Sequence, residues 1–137
     1  MAAGYSGTPL PKKLGIREDF KIGLVNHPEN FLDLISPLPA NSQVSSRLVK
    51  PLDLIICFVN SRRALVKQFA PLAAKLRSNG MIWIAWPKKS SGIETDLNFE
   101  QVQHIGLEAG LVDVKICAID EVWSGLKFVY RLKDRNR

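Results

Sequence analysis

Apolar residues along this chain follow two spacings: short near-continuous runs, and longer stretches in which they recur every three or four positions. The runs KIGLVN (21–26), LDLIICFVN (52–60) and MIWIAW (81–86) are rich in Ile, Val and aromatic side chains, the pattern of strands covered on both faces. Between them the spacing becomes helical. After Ser61, a good cap residue, Leu65, Phe69, Leu72 and Leu76 define one stripe that Gly80 closes. Pro71 within that stripe lacks a backbone donor, which predicts a kink or two short helices, the second starting near Ala70. Pro28 and Glu29 suit the first turn of a helix running to Ile35, and Ser36, Pro37 and Pro39 end it. Asn98 with Gln101 predicts a capping box for a helix carrying Phe99, Val102, Ile105 and Ala109 and closed by Gly110. Further strands are expected at 44–49, 112–119 and 126–132.

Alternation of strands with helices predicts parallel pairing through right-handed crossovers. The joint 120–125 is too short for a crossover, so the last two strands pair antiparallel. The expected fold is α/β, a three-layer Rossmann-like sandwich with a mostly parallel sheet and one antiparallel strand near the C-terminus. Residues 21–132 are expected to form a single domain. Before it lies an irregular Gly- and Pro-rich arm, 1–20, whose Tyr5, Leu10, Leu14 and Ile16 pack across it; after it lies a basic tail, 133–137.

Composition narrows the class without naming a reaction. With 137 residues, 46% hydrophobic and 23% charged, the chain is sized for one packed core. No apolar run approaches the roughly 20 residues that cross a bilayer, and MAAGYSGTPLPKKLG lacks the apolar centre of a secretion signal, so a cytoplasmic location is expected. Cys57 and Cys117 lie in strand-like runs without a CxxC or a nearby His, and are read as small hydrophobes rather than as disulfide or metal ligands. The net charge of +6 favours anionic partners, since cations concentrate phosphate-bearing ligands. Much of that excess sits in Arg131, Lys133, Arg135 and Arg137, the signature of a solvated end.

Open α/β sheets bind ligands beyond the carboxyl ends of their strands. Here those exits carry Asn26 and His27, then Ser61, Arg62 and Arg63, then Lys88 and Lys89. If the strands are neighbours, four cations converge on one rim, beside helix amides near Pro28 and Arg62. These seven residues form the candidate anion-binding set. Tyr5, Trp86, Trp123, Asp120 and Glu121 are candidate pocket-lining residues. Asp120 and Glu121 also read as turn chemistry, and Trp86 and Trp123 also read as core. His27 has no identifiable nucleophile or orienting carboxylate, and His104 reads as a partly covered helix-face residue. No residue is assigned a catalytic or metal-binding role, and no cofactor is expected.

From Leu52 onward the order of features resembles the second half of a class I S-adenosylmethionine-dependent methyltransferase. LDLIICFV is similar to its fourth strand, LRSNGMIWI to its glycine-preceded fifth, and EAGLVDVKI with LKFVYRLK to its terminal antiparallel pair. That family holds its cofactor with a glycine-rich loop after the first strand and an acid ending the second. Here LVNHPENF contains no GxG, and no acid occurs between Ala40 and Leu52. The phrases GYSGTPLPKKLGI, WPKKSSG, TDLN and GLVDVKICAIDEVWSGLKFVYRLKDR resemble small bacterial proteins grouped as the domain-of-unknown-function family numbered 3052. That resemblance transfers no activity to residues. It implies that residues 4–7, 86–92 and 120–125 gather near one pocket.

Three functions follow. The first is a non-catalytic methyltransferase-like module binding a small anionic ligand or a protein partner at the C-terminal edge of its sheet. The second is a divergent S-adenosylmethionine-dependent enzyme. The third is a weak nucleic-acid binder, which lacks both an aromatic-interleaved basic platform and a helix-turn-helix.

Overall fold

A computed structural model describes residues 7–135. Tyr5 and the last two residues of the basic tail lie outside that range. The elements in chain order are α1 (Leu10–Leu14), β1 (Lys21–Val25), α2 (Phe31–Leu34), β2 (Gln43–Ser45), β3 (Leu52–Phe58), α3 (Arg62–Ala73), β4 (Leu76–Pro87), α4 (Phe99–Glu108), β5 (Leu111–Ala118) and β6 (Trp123–Tyr130). Short 3-10 turns occupy Lys89–Ser91 and Leu132–Asp134.

The six strands form one sheet in the order β2-β1-β3-β4-β6-β5. β2, β1, β3 and β4 pair parallel, and β6 runs antiparallel to both β4 and β5, so a single strand is reversed. β3 shows why the sheet sits in the middle layer. Its Leu54, Ile56 and Phe58 enter the core shared with α1 and α2, while Ile55 and Cys57 enter the core shared with α3 and α4. All five are at most 2% exposed. A strand with no polar face is stable only when both faces are covered, and that produces the three-layer α/β sandwich.

Several expectations are corrected in detail. The arm is not irregular throughout: Pro11 suits a first helical turn, and α1 buries Leu10 and Leu14, with Ile16 following them into the core. The Trp83 indole Nε1, fully buried, donates to the Leu14 carbonyl at 2.8 Å and ties this turn to the sheet. The helix expected from Pro28 shrinks to the single turn of α2, because Pro28 begins a separate turn whose carbonyl accepts from Phe31 N at 3.1 Å.

Pro71 does not split α3, which runs as one helix from Arg62 to Ala73 with the proline exposed in its last turn. Leu76 belongs to β4 rather than to the α3 stripe. LRSNG extends β4 along β3, with the register jumping between the pairs Leu52–Leu76 and Leu54–Met81. Gly80 serves that irregularity instead of stopping a helix: a Cβ there would stand 3.0 to 3.2 Å from the carbonyl oxygens of Arg77, Asp53 and Leu52. The basic tail is partly structured, with Arg135 Nε donating to the Tyr130 carbonyl at 2.9 Å.

Gly106 in α4 lies against Phe128, whose ring is fully buried and stacked edge-to-face on Phe69 at 5.2 Å. A methyl at position 106 would fall inside the space of that ring. Gly106→Ala is expected to destabilise the fold by roughly 1–3 kcal/mol, the overpacking penalty outweighing the ~1 kcal/mol that alanine adds to a helix. Urea denaturation showing a midpoint equal to or above that of the wild type would contradict this packing.

Candidate functional site

Parallel pairing sends β1, β3 and β4 out at the same edge of the sheet. The chain moves from β1 outward to β2 on one side and returns to β3 on the other, so the strand order reverses between β1 and β3. At that reversal a crevice of about 290 Å³ opens, lined by Asn26, Phe58, Val59, Asn60, Ala64 and Trp123. It matches the place where α/β sheets leave room for ligands, and its size is near the lower end of the roughly 300–1,000 Å³ of small-molecule sites.

Each wall has a local cause. Asn26 follows β1 with φ 57°, a left-handed conformation that Asn tolerates better than most residues, and its Nδ2 reaches the Phe58 carbonyl at 3.5 Å. The Phe58 ring packs edge-on to Phe31 at 4.9 Å and to Trp123 at 5.1 Å, so three aromatics brace one another beneath the opening. Trp123 is fixed by the turn before β6. There the Asp120 carboxylate accepts from the backbone amides of Val122 and Trp123, both at 2.8 Å.

The rest of the edge is covered. The connection from β4 to α4 crosses in front of α3: Thr95 Oγ1 donates to the Asn60 carbonyl at 2.7 Å, and Asp96 Oδ1 accepts from Arg62 N at 2.7 Å. Ser61 caps α3 as expected, its hydroxyl accepting from Ala64 N at 3.1 Å. Two of the amides that a ligand anion would have used at α3, those of Arg62 and Ala64, are therefore held by this protein's own Asp96 and Ser61.

The predicted residues separate into two groups. Asn26 and Trp123 line the crevice, with Ser61 next to it in the cap of α3. The four cations stand outside the lining. Arg62 is turned toward α4, its Nε donating to Gln101 Oε1 at 3.1 Å, and Arg63 is exposed. Lys88 is held by its backbone amide on the Val122 carbonyl at 2.8 Å, and Lys89 is exposed in the following 3-10 turn. His27 is half-buried after Asn26. Trp86, 5% exposed, packs in the α3/α4 core and does not line the crevice. Asp120 serves the turn, and Glu121 is exposed on it. Of the stretch 4–7 expected to gather here, residues 4–6 fall outside the described residues.

Other candidates are structural. His104 is more exposed than expected, its Nε2 3.6 Å from Glu108 on the same helix. Burial pushes the Cys57 thiol up to about 12, which makes it inert. Among the described residues no group of three or more His, Cys, Asp or Glu could hold a metal ion, and no helix is long and apolar enough to cross a membrane. A larger groove of about 490 Å³ lies at the opposite edge, between the ends of α3 and α4. Alanines make up half of its lining residues, the Tyr130 hydroxyl donates to the Ala73 carbonyl, and it lies away from the strand exits. Thr95, Asp96 and Phe58 are site residues that sequence reasoning missed. The available signal was a Thr and an Asp in TDLN, acceptor residues shortly before a capped helix.

The topology and the crevice invite comparison with known folds. Among solved structures the chain is similar to a possible exported protein from Bordetella parapertussis, with TM-score 0.64, 8% identity, and coverage of 88% of this chain and 65% of that one. It is also similar to magnesium protoporphyrin IX methyltransferase from Synechocystis PCC 6803, solved with bound S-adenosylhomocysteine (TM-score 0.57, 8% identity, coverage 89% and 78%). A third is an S-adenosylmethionine-dependent methyltransferase from Aquifex aeolicus (TM-score 0.56, 14% identity, 85% of each chain). The chain has the methyltransferase fold. No family model matches it, and no curated protein matches its sequence. Within the methyltransferase fold, the departures lie at the first two strands. Asn26, His27 and Pro28 follow β1, and Ser45, Ser46 and Arg47 end β2, with Arg47 N donating to Ser45 Oγ at 2.9 Å.

Removing the Asp96 carboxylate frees the first amide of α3 and unpins the segment that covers half of this edge. Asp96→Ala is expected to cost about 1 kcal/mol, the usual loss for a helix N-terminal acceptor. Thermal or urea denaturation would check it, and an unchanged midpoint would show that the contact contributes nothing.

Proposed function

We propose that this chain is a small-ligand-binding domain built on the methyltransferase fold, which takes a compact ligand in the crevice between the ends of β1 and β3 and performs no methyl transfer. The observation that carries this reading is the lining: two amide side chains, Asn26 and Asn60, beside the half-buried Trp123 ring and above the buried Phe58, at the reversal of strand order. Amides give directional hydrogen bonds and aromatic rings supply flat contact area, a combination suited to a planar polar group. Lys88, Lys89 and Arg63 are outside the lining but on the same side of the sheet. They would bias the edge toward ligands carrying an anionic group, through long-range attraction rather than contact.

Catalysis of the usual methyltransferase kind is disfavoured by the residues after the first two strands. The family's cofactor mode needs small residues after β1 so that backbone can approach the methionine end, and an acid after β2 for the ribose. This chain has Asn26-His27-Pro28 and Ser45-Ser46-Arg47 instead. The second reading, a divergent S-adenosylmethionine-dependent enzyme, is favoured by the fold of the neighbours, one of them solved with S-adenosylhomocysteine bound.

Trp83 and Trp86 are buried, so a ligand-induced change in tryptophan fluorescence would report Trp123. Adenosine monophosphate, a planar ring bearing an anion, is expected to quench that fluorescence saturably. Asn26→Ala should weaken it by about tenfold, or ~1.4 kcal/mol, and Lys88→Ala by less. Calorimetry with S-adenosylmethionine is expected to give no heat. Micromolar binding that Asn26→Ala removes would transfer the conclusion to the enzyme reading. Absence of any ligand response in both wild type and variant would end the crevice proposal.

A further inference from the structure

Reading across the sheet in register, one row runs Leu24, Ile56, Trp83, Lys127, Lys115 over β1, β3, β4, β6 and β5. The first three are buried in the core beneath α1 and α2. The row then changes abruptly to two lysines directly opposite each other. Like charges at opposed positions of an antiparallel pair repel, so this arrangement is unfavourable unless something between them is negative. Two more cations join from the arm. Lys13, only 9% exposed, donates from Nζ to the Ala118 carbonyl at 3.0 Å, and Lys115 Nζ, on an exposed side chain, donates to the Lys13 carbonyl at 3.0 Å, so α1 is tied to β5 beside the pair. Arg17 follows α1 and is near enough to act on Lys127.

Lys127 is the focus. Its Nζ stands 5.8 Å from the centre of the Trp83 ring and 4.0 Å from where a Cβ on Gly15 would be. No hydrogen-bond acceptor and no carboxylate pairs with that ammonium among the described residues. Neither ion pair elsewhere, Arg77 with Asp53 or His104 with Glu108, reaches this row. Asp113, the nearest acid along β5, points to the other face, where it accepts from Gln103. Burial lowers the Lys127 pKa, and repulsion from Lys115 and Arg17 lowers it further. Cys117, two residues from Lys115, lies among the same charges: burial pushes its thiol up, and Lys13, Lys115 and Lys127 oppose that shift.

We propose that Lys127, Lys115 and Arg17, beside Lys13 on the α1 turn, form an open binding site for a compact, multiply charged phosphoryl compound. The site lies on the α1 face of β5 and β6, away from the crevice at the strand exits, and does not depend on the function assigned to that crevice. The phosphoryl oxygens would replace the mutual repulsion of Lys115 and Lys127 with charge-assisted hydrogen bonds. A bound anion stabilises the native form by mass action.

Cys117 is a built-in reporter, because the inert Cys57 does not compete for alkylating reagents. A phosphoryl anion beside Cys117 cancels the lysine charges that favour its thiolate, so alkylation should slow. With inorganic pyrophosphate as the probe and ionic strength held constant with chloride, iodoacetamide labelling of Cys117, followed by mass spectrometry, is expected to slow saturably by about threefold or more. The thermal midpoint should rise over the same concentration range. Lys127→Gln and Lys115→Gln should remove both effects, with circular dichroism confirming that each variant folds. Asn26→Ala and Asn60→Ala, which alter exposed crevice side chains, should leave both intact. Unchanged labelling and an unchanged midpoint in the wild type would overturn the proposal, as would the same response in the lysine variants. A response lost in the crevice variants instead would assign the anion to the crevice and equally overturn it.

Discussion

The constraint on which the rest depends is the double-sided burial of β3. A strand whose residues from Leu54 to Phe58 are all apolar and buried cannot lie at an edge or present a face to water, so it must be flanked by β1 and β4 and roofed on both sides. Once it is central, α3 and α4 are committed to one face, and α1 and α2 to the other. The directions of the neighbouring strands follow from the connections between them. The common edge at which β1, β3 and β4 emerge is a consequence of this packing.

That edge is divided unequally by hydrogen bonding. Thr95 and Asp96 hold the segment before α4 across the start of α3, satisfying backbone groups that would otherwise face solvent or a ligand. What stays open is the gap where the strand order reverses, floored by Phe58 and edged by Asn26, Asn60 and Trp123. Helix capping and ligand binding thus draw on the same kind of amide donor, and here the protein's own acid has taken the donors at α3. The opening that is left is amide-rich and aromatic rather than densely charged.

Charge is distributed against the simplest reading of a net +6. The cations at the strand exits stand outside the crevice lining, whereas strand register sets Lys127 opposite Lys115 on the α1 face, beside Lys13 and the exposed Arg17. Trp83 anchors α1 through the Leu14 carbonyl, Lys115 Nζ donates to the Lys13 carbonyl of the same turn, and Lys13 Nζ donates to the Ala118 carbonyl at the end of β5. The helix end supplies some negative partial charge, but Lys127 sits beside it without a described acceptor.

The sequence by itself determined the strands with unbroken apolar runs, the Ser61 and Asn98 caps and the single reversed strand, because each rests on a local rule: period, capping geometry or the shortest feasible connection. It also placed Leu10, Leu14 and Ile16 on the core by hydrophobicity alone. It did not determine the reach of β4 back to Leu76, the reduction of α2 to one turn, or the unbroken α3. Those outcomes came from pairing with β3, from the turn that Pro28 starts, and from the position of Pro71 in a last turn. The sites were least legible of all. Asn26 and Trp123 could be named from the chain, but their joining Phe58 and Asn60, the diversion of Arg62 onto Gln101, and the row that sets Lys127 beside Lys115 exist only in register across the sheet. Local sequence carries a residue's chemistry; which groups meet is decided by strand order, since neighbours in the sheet lie far apart along the chain.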